Sequence, residues 1–240
     1  MFYFNKHLIY LEIMGSERDQ KNIDFDNYAD NYKDYIAKSF GNIEDNLNYY
    51  HIKKSEILKK ELNFQPKKIL DFGCGVGTML KLLIKKFEGS SFYAYDESKK
   101  SMDYIKKNFP KINCLDNLQT DEKFDLIFLS NVVHHVKSTD RHTLFKNIYN
   151  LLSPNGVVFI FEHNPYNPVT LKMVANCEFD ADAELIKKNE LIKLCKKYNF
   201  KIVKSGYIHF FPSKLGFLFK LESYLKWFFL GAQYFCTFKK

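Results

Sequence analysis

The stretch Lys67-Lys68-Ile69-Leu70-Asp71-Phe72-Gly73-Cys74-Gly75-Val76-Gly77-Thr78 decides how the chain is read. A short apolar run ends in an acid, and three glycines follow at alternate positions. A helical pattern then opens at Met79, Leu80, Leu82 and Leu83. This order predicts a strand, a tight turn and a helix. Glycine suits such a turn because it adopts backbone angles that a Cβ forbids and lets a ligand approach the main chain. The helix behind it offers unpaired N–H groups and a positive dipole end, which favour a carboxylate or phosphate. A dinucleotide fingerprint counted from Gly73 needs a third glycine at position 78, where Thr78 stands. A P-loop needs a Gly-Lys-Ser/Thr ending, which this stretch lacks.

Working outward, short apolar runs alternate with helical patterns, which predicts β-α-β units and a mostly parallel, doubly wound α/β sheet. Strands are expected at 68–71, 91–95, 111–115, 124–129, 157–161, 200–211 and 232–238, and helices at 101–109, 141–152 and 184–198. The run 124–129 is nearly all apolar, as a strand buried on both faces should be. Residues 215–230 carry Phe217, Phe219, Trp227, Phe228 and Phe229, but Lys220, Glu222 and Lys226 interrupt them. The segment is too short to span a bilayer and is expected to form a helical hairpin insert before the last strand. Residues 1–62 form an N-terminal extension and helical cap, and residues 63–240 the ligand-binding domain. In the cap, Tyr28, Tyr32 and Tyr35 recur at near-helical spacing.

With 240 residues the chain is long enough to bury a sizeable core. Its formal net charge is +8, but the lysines are spread rather than clustered, so nucleic acid is not the expected partner. The five cysteines (Cys74, Cys114, Cys177, Cys195 and Cys236) are odd in number and form no C-x-x-C pair. That pattern fits a reduced, cytoplasmic protein. The segment Met1 to Met14 is apolar but interrupted by Asn5, Lys6, His7 and Glu12, too polar and short to span a membrane. It is expected either to dock or to lie upstream of a start at Met14.

The D-x-G-x-G-x-G pattern of Asp71, Gly73, Gly75 and Gly77 resembles motif I of the class I S-adenosylmethionine (SAM) dependent methyltransferases. The resemblance extends from Phe25 to Phe238. It implies a Rossmann-like sheet of seven strands in the order 3-2-1-4-5-7-6, with SAM as cofactor along its C-terminal edge. Asp96, which ends the second strand, would accept hydrogen bonds from the ribose hydroxyls, with Glu97 beside it; the competing role for Asp96 is the N-cap of the next helix. Asp116 and Asn117 would meet the adenine. Cys74 lines the glycine loop, with packing as its main role. Ser130 and Asn131, after the fourth strand, would pass the sulfonium centre. The segment Phe25 to Tyr32 resembles the family's N-terminal cap, which places Tyr32 and Lys53 over the SAM carboxylate.

The acceptor side is read from two stretches. His134 and His135 follow the fourth strand, and either could act as general base on a hydroxyl. A metal is not expected there, because adjacent histidines show no clear carboxylate partner in sequence. Glu162-His163-Asn164-Pro165-Tyr166-Asn167-Pro168-Val169-Thr170 follows the fifth strand, at the edge where open parallel sheets bind ligands. It resembles a segment of a bacterial methyltransferase subgroup associated with surface-glycan and capsule modification. Glu162 and His163 are catalytic candidates, and Asn164, Tyr166 and Asn167 are substrate-binding candidates; the alternative is a rigid Pro-rich turn whose polar groups satisfy the backbone. An N-P-P-Y motif for base methylation belongs after the fourth strand and carries two prolines, so Asn164-Pro165-Tyr166 argues against that activity. Asp182 is expected to cap a helix, and Asp180 is a candidate for lining the substrate mouth.

The resemblance therefore implies methyl transfer to an oxygen of a small polar or sugar-linked acceptor. A histidine would serve as base, and a phosphate or phosphoramidate oxygen would need none. The alternatives are a lipid- or quinone-directed methyltransferase and a non-catalytic SAM-binding partner subunit. Peripheral membrane contact is left open by the aromatic insert.

Overall fold

The glycine stretch opens a βα unit: β1 (Lys68–Phe72) leads through the loop into α2 (Thr78–Lys86). The structure is a computed structural model that describes Asp26 and residues 44–240, with side chains of the latter from Asn48 on. The expectations for Tyr28, Tyr32, Tyr35 and the segment 1–14 lie outside the described residues.

The remaining elements follow the expected alternation. They are β2 (Ser91–Tyr95), α3 (Lys99–Asn108), β3 (Asn113–Cys114), β4 (Phe124–Ser130), α4 (Arg141–Leu151) and β5 (Leu152–His163). Then come α5 (Pro168–Asn176), α6 (Lys188–Lys197), β6 (Lys201–Ile208), α7 (Phe219–Leu225) and β7 (Gln233–Lys239); α1 (Glu44–Glu61) precedes them all. The seven strands form one sheet in the order β3-β2-β1-β4-β5-β7-β6. β1 to β5 pair parallel with one another, and β7 runs antiparallel between β5 and β6.

Side-chain alternation builds a core on each face. Ile127 and Leu129 of β4 enter one cluster with Leu70, Val158 and Ile160. Leu126 and Phe128 enter the other with Ile69, Phe159 and Phe161. Successive strand residues point to opposite faces, so a strand covered on both sides must be apolar throughout. Each fully buried Leu, Ile or Phe contributes about 1.5–3 kcal/mol over an exposed one. α2 joins the second cluster through Met79, Leu80 and Leu83, one stripe of the helix.

Several boundaries differ from expectation, each for a local reason. β3 keeps only two paired residues at the sheet edge, Asn113 and Cys114. β6 stops at Ile208 because the next three N–H groups leave the ladder: those of His209, Phe210 and Phe211 donate to the buried Glu222 carboxylate at 3.0, 2.9 and 3.3 Å. The expected helical hairpin is a 3₁₀ turn (Ser213–Leu218) followed by the short α7. Glu222, which looked like a polar interruption of the aromatic run, is the clamp that ends β6. The insert is tied to α1 by Glu61, which pairs with Lys204 at 3.0 Å and with Lys226. No helix among the described residues is long and apolar enough to cross a membrane.

Candidate functional site

The three loop glycines all have positive φ, at +72° (Gly73), +51° (Gly75) and +76° (Gly77). Their surroundings differ. A Cβ at Gly73 would lie 2.6 Å from Val132 Cγ2, so that position keeps β1 against the loop after β4. A Cβ at Gly75 would meet nothing within 4 Å, so this bend of the backbone faces open space. The loop is fixed to the end of β2 by Gly73 N and Cys74 N, which donate to Tyr95 O at 2.8 and 3.1 Å. The Cys74 side chain is buried, with Met102 Sδ 4.0 Å from its Sγ. Burial pushes its thiol up, which makes it a packing residue.

Asp96 sits at the lip of this loop. Its carboxylate accepts Gly75 N at 2.8 Å and Ser98 N at 2.9 Å. The N-cap of α3 is Ser98, whose Oγ accepts Ser101 N at 3.1 Å. Asp96 therefore does not cap the helix; it braces the glycine loop and keeps lone pairs for a ligand. Asp26, from the N-terminal segment, accepts Ser98 Oγ at 2.6 Å and so reaches the same corner. Asp71 is buried, its Oδ2 has no hydrogen-bond partner among the described residues, and burial together with Asp96 raises it to about 7. An orphaned buried carboxylate oxygen, a braced acid and an open glycine bend fit the charged and hydroxylated parts of SAM. Asp71, Gly75 and Asp96 are the residues that would hold it, and SAM supplies a methyl group already activated by its sulfonium charge. Glu97 is exposed.

The adenine-side expectations change. The Asp116 side chain is 82% exposed and pairs with Lys106 at 3.1 Å, and Asn117 Oδ1 accepts Gln119 N at 2.8 Å to close a turn. Both side chains serve the surface of the β3 loop.

In the cap, the neighbour of the expected residue reaches the site. Lys53 pairs with Glu56 at 2.9 Å and lies 4.2 Å over the Phe219 ring. Lys54 is buried; its Nζ donates to Ser130 Oγ at 3.0 Å and to Asn131 Oδ1 at 3.4 Å. The signal lay in the spacing: Lys54, Leu58 and Leu62 recur every four residues and share the buried face of α1. Burial lowers Lys54 to about 7, partly opposed by Glu162. The folded chain then releases a proton that the unfolded chain keeps up to its ordinary value of 10.5, so stability contributed here rises with pH from about 7 to about 10. Below that window the full cost of burying the charge remains. The difference in unfolding free energy between wild type and Lys54→Met, measured in urea at pH 7, 8 and 9, is expected to move in the wild type's favour by up to about 1.4 kcal/mol per unit. Parallel profiles would remove the buried ammonium from the account.

The loop after β4 is held by Glu162 at the end of β5. Glu162 Oε1 accepts Val132 N at 3.0 Å and Val133 N at 2.7 Å, while Oε2 lies 2.5 Å from His134 Nδ1. Burial works against the charged forms, but the mutual attraction of the pair wins. Glu162 falls to about 2, and His134, with Asp180 also facing it, rises to about 10. The expectation of His134 as a general base is therefore corrected: a ring already carrying both protons at neutral pH cannot accept another. Glu162 is likewise a positioning residue, since it is fully buried and its carboxylate already has three partners. His163 is largely buried, lowered to about 4 by burial and by the adjoining His134, and its Nδ1 lies 3.3 Å from Gln233 Nε2. His135 Nδ1 lies 3.1 Å from Asp182 Oδ1. Asp182 thus turns to a histidine instead of capping a helix, and α6 begins only at Lys188.

The Pro-rich turn is mostly self-contained. Asn164 is buried, donates to Phe229 O and Gly231 O, both at 2.7 Å, and accepts Tyr166 N at 3.1 Å. Asn167 Oδ1 accepts Thr170 N at 3.0 Å, and Pro168 fills the first turn of α5, where its missing N–H costs nothing. The substrate-binding expectation for Asn164 and Asn167 is thus replaced by a structural one. Tyr166 is exposed and meets the Phe229 ring edge-on.

A family model described as a methyltransferase domain matches residues 46–205. Among curated relatives, the chain is 27% identical over 131 residues to the human tRNA N(3)-cytidine methyltransferase METTL6, covering 49% of this chain and 46% of that protein. It is 26% identical over 153 residues to the malonyl-[acyl-carrier protein] O-methyltransferase of Calditerrivibrio nitroreducens, covering 62% of this chain and 57% of that one. The chain thus spans only about half the length of these two relatives. A crystal structure of a SAM-dependent methyltransferase from Archaeoglobus fulgidus superposes with a TM-score of 0.64 at 17% identity, covering 88% of this chain and all of that one, a likeness of fold. The matched region holds the glycine loop, Asp96, the loop after β4 and the Glu162 brace, and on that ground the chain belongs to the methyltransferase-domain family as a class I SAM-dependent methyltransferase.

Proposed function

We propose that the chain methylates an oxygen of a small polar acceptor, with a sugar-linked hydroxyl as the leading class and surface-glycan assembly as its setting. The observation that carries this reading is a cluster of unsatisfied polar atoms around Lys54 at the ends of β5, β6 and β7. Gln233 Oε1, His51 Nδ1 and both ring nitrogens of His209 are buried without a hydrogen-bond partner among the described residues. His209 lies within electrostatic reach of Lys54, His51 and His163. Each orphaned group costs about 1–3 kcal/mol, a cost that a hydroxyl-rich acceptor would relieve and an apolar one would not. Gln233 joins this cluster to the methyl-transfer side, since its Nε2 is 3.2 Å from Asn131 Oδ1 and 3.3 Å from His163 Nδ1. One relative, by its name, also methylates an oxygen.

A second reading, delivery of the acceptor on a lipid, is favoured by one surface. Phe217, Tyr224 and Trp227 of the insert are 76%, 76% and 77% exposed, with Lys214 and Lys220 beside them in sequence. An acceptor screen with methyl-labelled SAM separates the readings. Label is expected in free sugar nucleotides and hydroxylated glycans, and neither in quinols nor in tRNA. Label confined to quinols or lipid-linked sugars, with the protein co-sedimenting with anionic vesicles, would transfer the proposal to the lipid reading. Label in tRNA alone would overturn both.

A further inference from the structure

His134 and His135 share an arrangement that methyl transfer alone does not explain. Each ring has its Nδ1 facing a carboxylate, Glu162 at 2.5 Å for His134 and Asp182 at 3.1 Å for His135. Each ring brings its Nε2 to the same atom, Asp180 Oδ1, at 3.5 Å in both cases. The three candidate donor atoms lie within 4.8 Å of one another. His134 Nε2 is fully buried and has no hydrogen-bond partner among the described residues. An outer carboxylate that holds Nδ1–H fixes the tautomer and leaves Nε2 as a ligand. Two imidazoles and one carboxylate converging in this way are a donor set for a divalent transition cation. Magnesium and calcium prefer oxygen alone.

We infer that His134 Nε2, His135 Nε2 and an Asp180 carboxylate oxygen bind a divalent transition-metal cation, zinc or a cobalt substitute, beside the methyl-transfer centre. The charge count agrees. Glu162, Asp180 and Asp182 place three carboxylates around two imidazoles, with Arg141 and Lys54 further out. A divalent cation at the three donors would balance part of that charge. The metal reading dismissed from sequence lacked a carboxylate because Asp180 and Asp182 lie more than forty positions from the histidines; the short 3₁₀ turn Glu178–Asp180 after α5 returns them.

The binding half of this proposal stands on geometry alone, and its catalytic half rests on the oxygen-acceptor reading above. In that half the acceptor hydroxyl oxygen takes an open position on the cation and loses its proton to water. The oxygen then attacks the methyl carbon, and the carbon–sulfur bond breaks with its electron pair left on sulfur.

The test uses the full chain, stripped with chelator and titrated with Zn²⁺ by calorimetry and with Co²⁺ by visible absorption. One equivalent is expected to bind, with the ligand-field bands of a site containing nitrogen donors. Asp180→Asn is expected to weaken binding by about 100-fold or more, and Asp182→Asn, which loosens only the outer brace, by about 10-fold. Circular dichroism melts check that both variants fold, and SAM affinity of the stripped protein reports the cofactor site separately. Absence of binding to the wild type, or equal affinity in folded Asp180→Asn, would overturn the site. Metal binding without label in any oxygen acceptor would keep the site and overturn the oxygen reading.

Discussion

Glu162→Ala is expected to lower the unfolding free energy by about 3–5 kcal/mol, the range for a buried charge pair that loses one partner. The physical reason is the density of its contacts. One carboxylate satisfies two backbone N–H groups, of the half-buried Val132 and the buried Val133, and the buried His134 ring. Its removal strands two amides and one imidazole without their acceptor. Glu162→Gln is the informative companion, since its amide oxygen can still accept from the backbone while the charge is gone. Its loss should fall between wild type and Glu162→Ala. Urea unfolding in chelator-treated buffer measures both without help from any bound cation. A loss under about 1 kcal/mol for Glu162→Ala would mean that water replaces the carboxylate, and Glu162 would no longer explain the shape of the loop. Turnover should fall with stability in this series, because the same loop carries Ser130 and Asn131.

The difference between what was legible and what was not follows from the range of the interactions. The βα unit at Lys68–Lys86 could be read because its determinants are consecutive: an apolar strand, glycines at φ values only they adopt easily, and a helical stripe. Asp96 could be read because a parallel sheet returns every βα unit to the same edge. The strand order, with the antiparallel β7 between β5 and β6, was expected from the resemblance of the glycine stretch to motif I and not from the pattern of the strands themselves. Lys54 was missed by one position, although its four-residue spacing to Leu58 and Leu62 marks it as inward-facing. The roles of Glu162, Glu222, Asp180 and Asp182 were not legible, since each acts on a partner eleven to forty-seven positions away in sequence. A carboxylate clamp has no local pattern; the same Glu reads as solvated until the backbone groups it captures are known. Asn164 and Asn167 show the reverse error. Asn beside Pro is equally apt for a ligand and for a turn, and here their amides are spent on 229–231 and on the start of α5.

Asp96→Ala should weaken SAM binding by about 100-fold, or about 3 kcal/mol, while leaving the fold intact. The two halves of this expectation come from the same geometry. Asp96 lies beside Asp71, and burial together with Asp96 makes Asp71 harder to ionise, while Asp96 itself is raised by burial and by Asp26. The ligand-free protein therefore holds the buried Asp71 against the repulsion of Asp96. Removing Asp96 relieves that repulsion and offsets the loss of its bonds to Gly75 N and Ser98 N. The ligand loses more than the fold does, because a carboxylate can accept from two hydroxyls at once and an alanine can accept from none. Asp96→Asn retains one acceptor oxygen and should sit between the two in affinity. Calorimetric titration with SAM and S-adenosylhomocysteine measures all three, and near-ultraviolet dichroism reports the fold. Equal affinities would take Asp96 out of the cofactor site and leave it as a brace for the glycine loop. A large loss in Asp96→Ala with little loss in Asp96→Asn would instead show that hydrogen-bond acceptance, more than charge, holds the ribose.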